Sequence, residues 1–61
     1  MKAIKVFDGT EEPFVFKCKD DDVKHAIEGF RSFDTFTVKD TRGGFTCFRS
    51  EKITAIMVIE A

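Results

Sequence analysis

The chain has 61 residues, 43% hydrophobic and 34% charged, with a formal net charge of -1 at pH 7. Such a composition excludes a disordered or low-complexity chain, and the interspersed charges argue against nucleic acid or an anionic membrane as the ordinary partner. A single domain of this size (residues 1–61 as one unit) buries only about 60% of its unfolded surface, and such scaffolds are commonly stapled by disulfides, metal or oligomerisation.

Residues 2–8 alternate, with Ile4 and Val6 on one face and Ala3 and Phe7 on the other, and predict a first strand. Asp8-Gly9-Thr10 is a turn signal, and Pro13 marks the edge of the connection. Phe14, Phe16 and Cys18 then alternate with Val15, Lys17 and Lys19, which predicts a second strand paired with the first as a hairpin. Next, Val23, Ala26, Ile27 and Phe30 recur at i, i+3, i+4 and i+7, the one helical pattern in the chain. Asp20, Asp21 and Asp22 stand at its start, where an aspartate can cap free N–H groups and the others favour the positive end of the helix dipole. Gly29 either ends this helix early or is tolerated inside it, with Phe33 as the last contact.

Thr35 to Val38 is β-branched and aromatic, a third strand. The polar turn Lys39–Gly44 and the run Phe45–Phe48 complete a second hairpin, and Arg49–Lys52 is a polar break. Ile53–Ile59 then reads as a fifth strand that is apolar on both sides: Ile53, Ala55, Met57 and Ile59 on one, Ile56 and Val58 on the other. The order ββαβββ predicts an α+β fold, an antiparallel sheet with one helix packed on one face; a small curled sheet or barrel is the alternative.

A strand apolar on both faces needs cover on both, and one helix covers one face. Eight phenylalanines without Trp or Tyr add further apolar surface. Phe7, Ile56 and Val58 are therefore the candidate residues of an interface between copies, and the expected partners are the chain itself, as a homodimer or higher oligomer, and a protein before nucleic acid. No stretch of signal-peptide type follows Met1, since Lys2 and Lys5 interrupt it, and no run is long enough to span a bilayer. The expectation is a cytoplasmic location, no membrane partner, and Cys18 and Cys47 as free, buried thiols. A disulfide between them requires neighbouring strands.

Chemistry-bearing constellations are sparse. Asp20, Asp21, Asp22 and His25 form an incomplete ligand set, better read as the start of a helix with a solvated histidine, and no metal or other cofactor is expected. His25 is the only histidine, and no spacing puts a cysteine beside it, so no catalytic residue is assigned and the chain is not expected to be an enzyme. Gly43-Gly44 precede a strand and lack the Gly-Lys-Ser/Thr element of a phosphate loop. Arg42-Gly43-Gly44-Phe45-Thr46-Cys47-Phe48 resembles the RNA-recognition strand pattern of a basic residue, glycine and alternating aromatics, although the order of elements differs from that family's β-α-β-β-α-β. On this reading Phe45 and Phe48 would stack bases and Lys39, Arg42 and Arg49 would meet phosphates, of a single strand or of a nucleotide held between subunits. The competing reading is a hairpin whose phenylalanines enter the core.

The whole-chain layout, with Phe-Thr-Val-Lys-Asp, Gly-Gly-Phe-Thr and Ile-Thr-Ala-Ile-Met-Val-Ile-Glu in succession, resembles small accessory proteins of Gram-positive bacteria and their phages. The likeness lies in the pattern and brings no functional residues with it. It implies a compact, non-enzymatic protein that works by binding, blocking or adapting another macromolecule.

Overall fold

A computed structural model describes residues 1–60. The elements follow the order β1 (Lys2–Phe7), β2 (Phe14–Cys18), α1 (Asp20–Ser32), β3 (Thr35–Lys39), β4 (Phe45–Arg49), a short 3₁₀ turn (Ser50–Lys52) and β5 (Ala55–Glu60). This is an α+β fold in which the helix packs against the strands. The strands do not form one sheet: β2-β1-β5 make a three-stranded antiparallel sheet and β3-β4 a two-stranded one. The helix joins β2 to β3, and a backbone bond links the two sheets beside it, the Thr41 N–H donating to the Lys17 carbonyl at 2.9 Å.

Turn chemistry sets the two hairpins. Gly9 and Gly43 take positive φ of 93° and 91°, the region where glycine carries no steric cost. The Asp8 carboxylate accepts bonds from the Thr10 N–H at 3.1 Å and the Thr10 hydroxyl at 2.7 Å. Asp40 does the same work in the second hairpin, accepting from the N–H groups of Arg42 and Gly44. The resulting register pairs Ile4 with Phe16 and Val6 with Phe14 on one side, and Ile4 with Val58 and Val6 with Ile56 on the other. Residues opposite each other point to the same face. Ile4, Val6, Phe14, Phe16, Cys18, Ile56 and Val58 therefore share the inner face of the three-stranded sheet.

The core forms where that face meets the hairpin and the helix. Ile4, Val6, Cys18, Val23, Ala26, Phe36, Val38 and Ile53 are buried, with Phe16, Ile27, Phe30, Phe48, Ile56 and Val58 packed against them. Aromatic contacts link the layers: Phe48 stacks on Phe36 at 5.4 Å and meets Phe14 and Phe16 edge-on, and Phe30 meets Phe36 at 5.6 Å. Each such pair contributes about 0.5–1.5 kcal/mol beyond its burial.

Of the two readings of Gly29 the second holds, and several other local expectations are corrected. Gly29 lies inside the helix and is buried. A Cβ there would stand 2.6 Å from the Phe36 Cβ, so β3 approaches the helix across the space that glycine leaves. Phe33 is not the last helix contact: it is 67% exposed. No side chain caps the helix, because the capping position falls on Lys19; the three aspartates lie in the first turn and act on its positive end. Ile53 is buried, but in the connection after the 3₁₀ turn, and β5 begins at Ala55. Of the two thiols, Cys18 is buried and Cys47 is exposed, and both are free. Burial pushes the Cys18 thiol above its ordinary value, with Asp22 and Asp40 adding to the shift.

Candidate functional site

The residues expected at an interface fall on opposite faces of one sheet. Ile56 and Val58 point inward, half-buried, against the core. Phe7 lies on the other face, opposite Ala55. The inner face of β5 is thus the core of a single chain, and the surplus apolar surface is its outer face. This correction has a plain cause: the period of an apolar strand shows two faces, and only pairing with β1 decides which one is covered.

That outer face can be read from the register. One row across the sheet is Val15, Lys5, Met57; the next is Lys17, Ala3, Ile59; a third is Phe7, Ala55. Val15 is 58% exposed, Met57 48% and Ile59 40%. The charges on this face are the two lysines, and no acidic residue stands in these rows. Sequence reasoning assigned Met57 and Ile59 to the covered side of β5 and gave Val15, Lys5 and Lys17 no role. The signal that marks them is phase: Val15 shares the outer face of β2 with Lys17, and pairing through Lys5 sets it in the row of Met57.

The face also ends on an open edge. β5 pairs with β1 on one side and with no strand on the other among the described residues. Its pairing with β1 runs unbroken from Ala55 to Glu60, so no bulge turns the edge away. It holds no proline, and its sole charge is Glu60 at the end, which accepts a bond from the Lys2 ammonium at 2.9 Å. That contact holds the Glu60 carboxyl below, and the Lys2 ammonium above, their ordinary values.

The second candidate set was Lys39, Arg42, Phe45, Phe48 and Arg49. Phe45 and Phe48 are three residues apart in a strand and so face opposite ways. Phe45 is 67% exposed opposite Lys39, whereas Phe48 turns inward into the aromatic cluster. The outer hairpin face therefore offers one ring for stacking, with Thr35, Thr37, Cys47 and Arg49 along the rest of it. Nor do the three cations converge. Arg42 lines a hollow of about 310 Å³ with Lys17 and Asp40. Lys39 lines one of about 450 Å³ with Asp21, Asp22 and Asp40, and Arg49 one of about 260 Å³ with Asp34 and Glu51. Carboxylates stand beside each cation, and Arg49 pairs with Glu51 at 3.6 Å. A phosphate would compete with those carboxylates at every one of the three.

His25 lines a small hollow of about 110 Å³ with Asp22, Thr37 and Lys39. Among the described residues no three His, Cys, Asp or Glu side chains are grouped to hold a metal ion. No helix among them is long and apolar enough to cross a membrane.

No family model matches the chain, and no curated protein or solved structure is significantly similar to it.

Proposed function

We propose that the chain is a small, self-associating, non-enzymatic binding protein whose working surface is the outer face of the β2-β1-β5 sheet. The observation that carries this reading is the row Val15, Lys5, Met57 with Ile59 beside it: exposed apolar side chains interspersed with lysine, on a face that no described element covers. Exposed patches of this kind on small soluble domains mark contact with another macromolecule. The lysines, with no acid among them, favour a protein partner that brings carboxylates to this face. An accessory role, blocking or adapting that partner in the cytoplasm, is the form of the proposal that the pattern-level likeness to accessory proteins supports.

Mass measurement by light scattering, from micromolar to hundreds of micromolar, tests the self-association. The expected result is a mass above the 7.0 kDa of one chain that falls on dilution. A strict monomer throughout that range overturns it. Val15→Lys, exposed and outside the core, is expected to remove partner binding without unfolding the chain.

A further inference from the structure

We propose that two copies join edge to edge through β5, antiparallel about a two-fold axis at Met57, to make one six-stranded sheet in the order β2-β1-β5-β5-β1-β2. This inference rests on the self-association proposed above and names its geometry.

The open edge specifies a strand as its occupant. In an antiparallel ladder alternate residues turn their N–H and C=O groups to each side, so half of β5 presents unpaired backbone groups outward. Proteins ordinarily blunt such an edge with lysine, proline, a bulge or a short strand. β5 carries none of these over six residues, whereas β4, the edge of the other sheet, is shorter and ends on Arg49. The inner-face side chains show the same gap. Ile4 and Val6, flanked on both sides by strands, are 0% exposed. Their partners across the ladder, Val58 and Ile56, point into the same core yet stay half-buried, because nothing lies beyond them.

The second copy fits that gap in one register best. A two-fold axis through the sheet keeps inner faces together only if residue numbers of opposed pairs sum to an even value. With the axis at Met57, Met57 meets Met57, Ile56 meets Val58 and Ala55 meets Ile59, all apolar. Glu60 then falls opposite Thr54. An axis at Val58 would instead set Glu60 against Ile56, and an axis at Ile56 would set Thr54 against Val58. Charge placement permits the first choice, although it sets the two Lys5 in one row. Lys5 opposes Met57, so the two Lys5 positions stand three strand spacings apart. At about 4.8 Å per spacing that is roughly 14 Å, beyond a screening length of about 8–10 Å at physiological salt. On the outer face the joined sheet sets the two Met57 side chains between rows of Ala3, Ile59, Ala55 and Phe7, with one Lys5 on each side of the Met57 pair.

Cross-linking reads this register directly. Opposed Cα atoms in an antiparallel pair lie about 4.5–5.5 Å apart, within the range a disulfide bridges. In a Cys47→Ser background, Met57→Cys is expected to oxidise rapidly to a dimer bridged at that one position, while Ile59→Cys stays unlinked and the double variant Ala55→Cys/Ile59→Cys links. Met57→Lys, on an exposed position, is expected to give a folded chain of monomer mass by light scattering, with its circular dichroism spectrum unchanged. A dimer that cross-links through Ile59→Cys alone, or not at all, overturns the edge pairing while leaving self-association standing. A mass above twice one chain, as in a ring built from β4 against β5, overturns the two-fold axis. A wild-type monomer at hundreds of micromolar overturns both this geometry and the reading it rests on.

Discussion

The two sheets of this molecule treat their outer faces differently. The β3-β4 hairpin buries Phe36 and Val38 within and turns Thr35, Thr37, Lys39, Cys47 and Arg49 to water, with Phe45 at the turn end as its one exposed large apolar side chain. The β2-β1-β5 sheet buries Ile4 and Val6 within but turns Val15, Met57 and Ile59 outward. Solvating a sheet face with threonine and charge is easy for a strand, as the hairpin demonstrates within the same chain. The apolar choice on the other sheet is thus a local property of that face and not of the composition as a whole. The contrast also separates two kinds of apolar residue in β5. Ile56 and Val58 hold one chain together; Met57 and Ile59 are free to hold something else.

The largest expected effect breaks the comparison at β5 itself. Val58→Lys and Ile56→Lys put an ammonium against Ile4 and Val6, costing more than about 2 kcal/mol, a large share of the stability of so small a domain. Both variants are expected to unfold, shown by loss of a cooperative thermal transition. Thr37→Lys, on the solvated hairpin face, is expected to stay within about 0.5 kcal/mol of the parent. A folded monomeric Val58→Lys would mean that the inner and outer faces have been exchanged.

Next in size is Gly29→Ala, which tests how the hairpin is held to the helix. Its Cβ would meet Phe36 at 2.6 Å, where both backbones are fixed by regular structure. Overpacking of this kind costs about 1–3 kcal/mol, against a gain of at most about 1 kcal/mol from helix propensity. At roughly 4–8 °C per kcal/mol for a domain of this size, the melting temperature is expected to fall by several degrees or more. A rise in melting temperature would show that β3 does not approach the helix at Gly29.

What the sequence made legible follows from how local each signal is. The alternation of Ile4 and Val6 and of Phe14, Phe16 and Cys18 correctly predicts two strands paired as a hairpin. The i, i+3, i+4, i+7 pattern around Val23 likewise locates the helix. The signals that failed are long-range. Which face of β5 is covered depends on its pairing with β1, some fifty positions away in the chain, as Val6 opposite Ile56 shows. The role of Gly29 depends on Phe36 across a turn, and a lone glycine reads equally well as a helix end. The split of Phe45 from Phe48 was readable, since an odd separation in a strand always divides a pair. Grouping them by composition obscured it. The division into two sheets had no local signal, because it arises from where the helix inserts between β2 and β3.

A smaller effect distinguishes the two cysteines, one from each sheet. Cys47 lies on the solvated hairpin face and is expected to react with a disulfide reagent at the rate of an open thiol. Cys18, fully buried on the inner face, is expected to react only as fast as the chain opens. Its raised pKa has a sign that can be checked. The folded state keeps the proton that the unfolded chain releases at about pH 8.5, so stability is expected to decline above that value. Cys18→Ala is expected to flatten that alkaline decline. An unchanged slope would assign it to other groups.

The smallest effect lies at the turn that sets the phase of the apolar face. Asp8 accepts two bonds from Thr10, and these hold its carboxyl below the ordinary value, the side-chain bond contributing most. A carboxyl held low in the folded state adds stability that is present above its unfolded value of about 3.9 and is lost as pH falls through the lower folded value. Thr10→Val removes the hydroxyl donor, so the Asp8 titration followed by NMR is expected to move upward, with the acid limb of stability shifting the same way. The consequence reaches beyond the turn. Asp8 and Gly9 begin the connection that pairs Val6 with Phe14 and Lys5 with Val15. A slip of one residue there would send Val15 inward and Phe14 and Phe16 outward. If Thr10→Val moved the Asp8 titration but left Val15 exposed to solvent, the register would be held by Phe14 and Phe16 packing on Phe48, and the turn would follow the core instead of directing it.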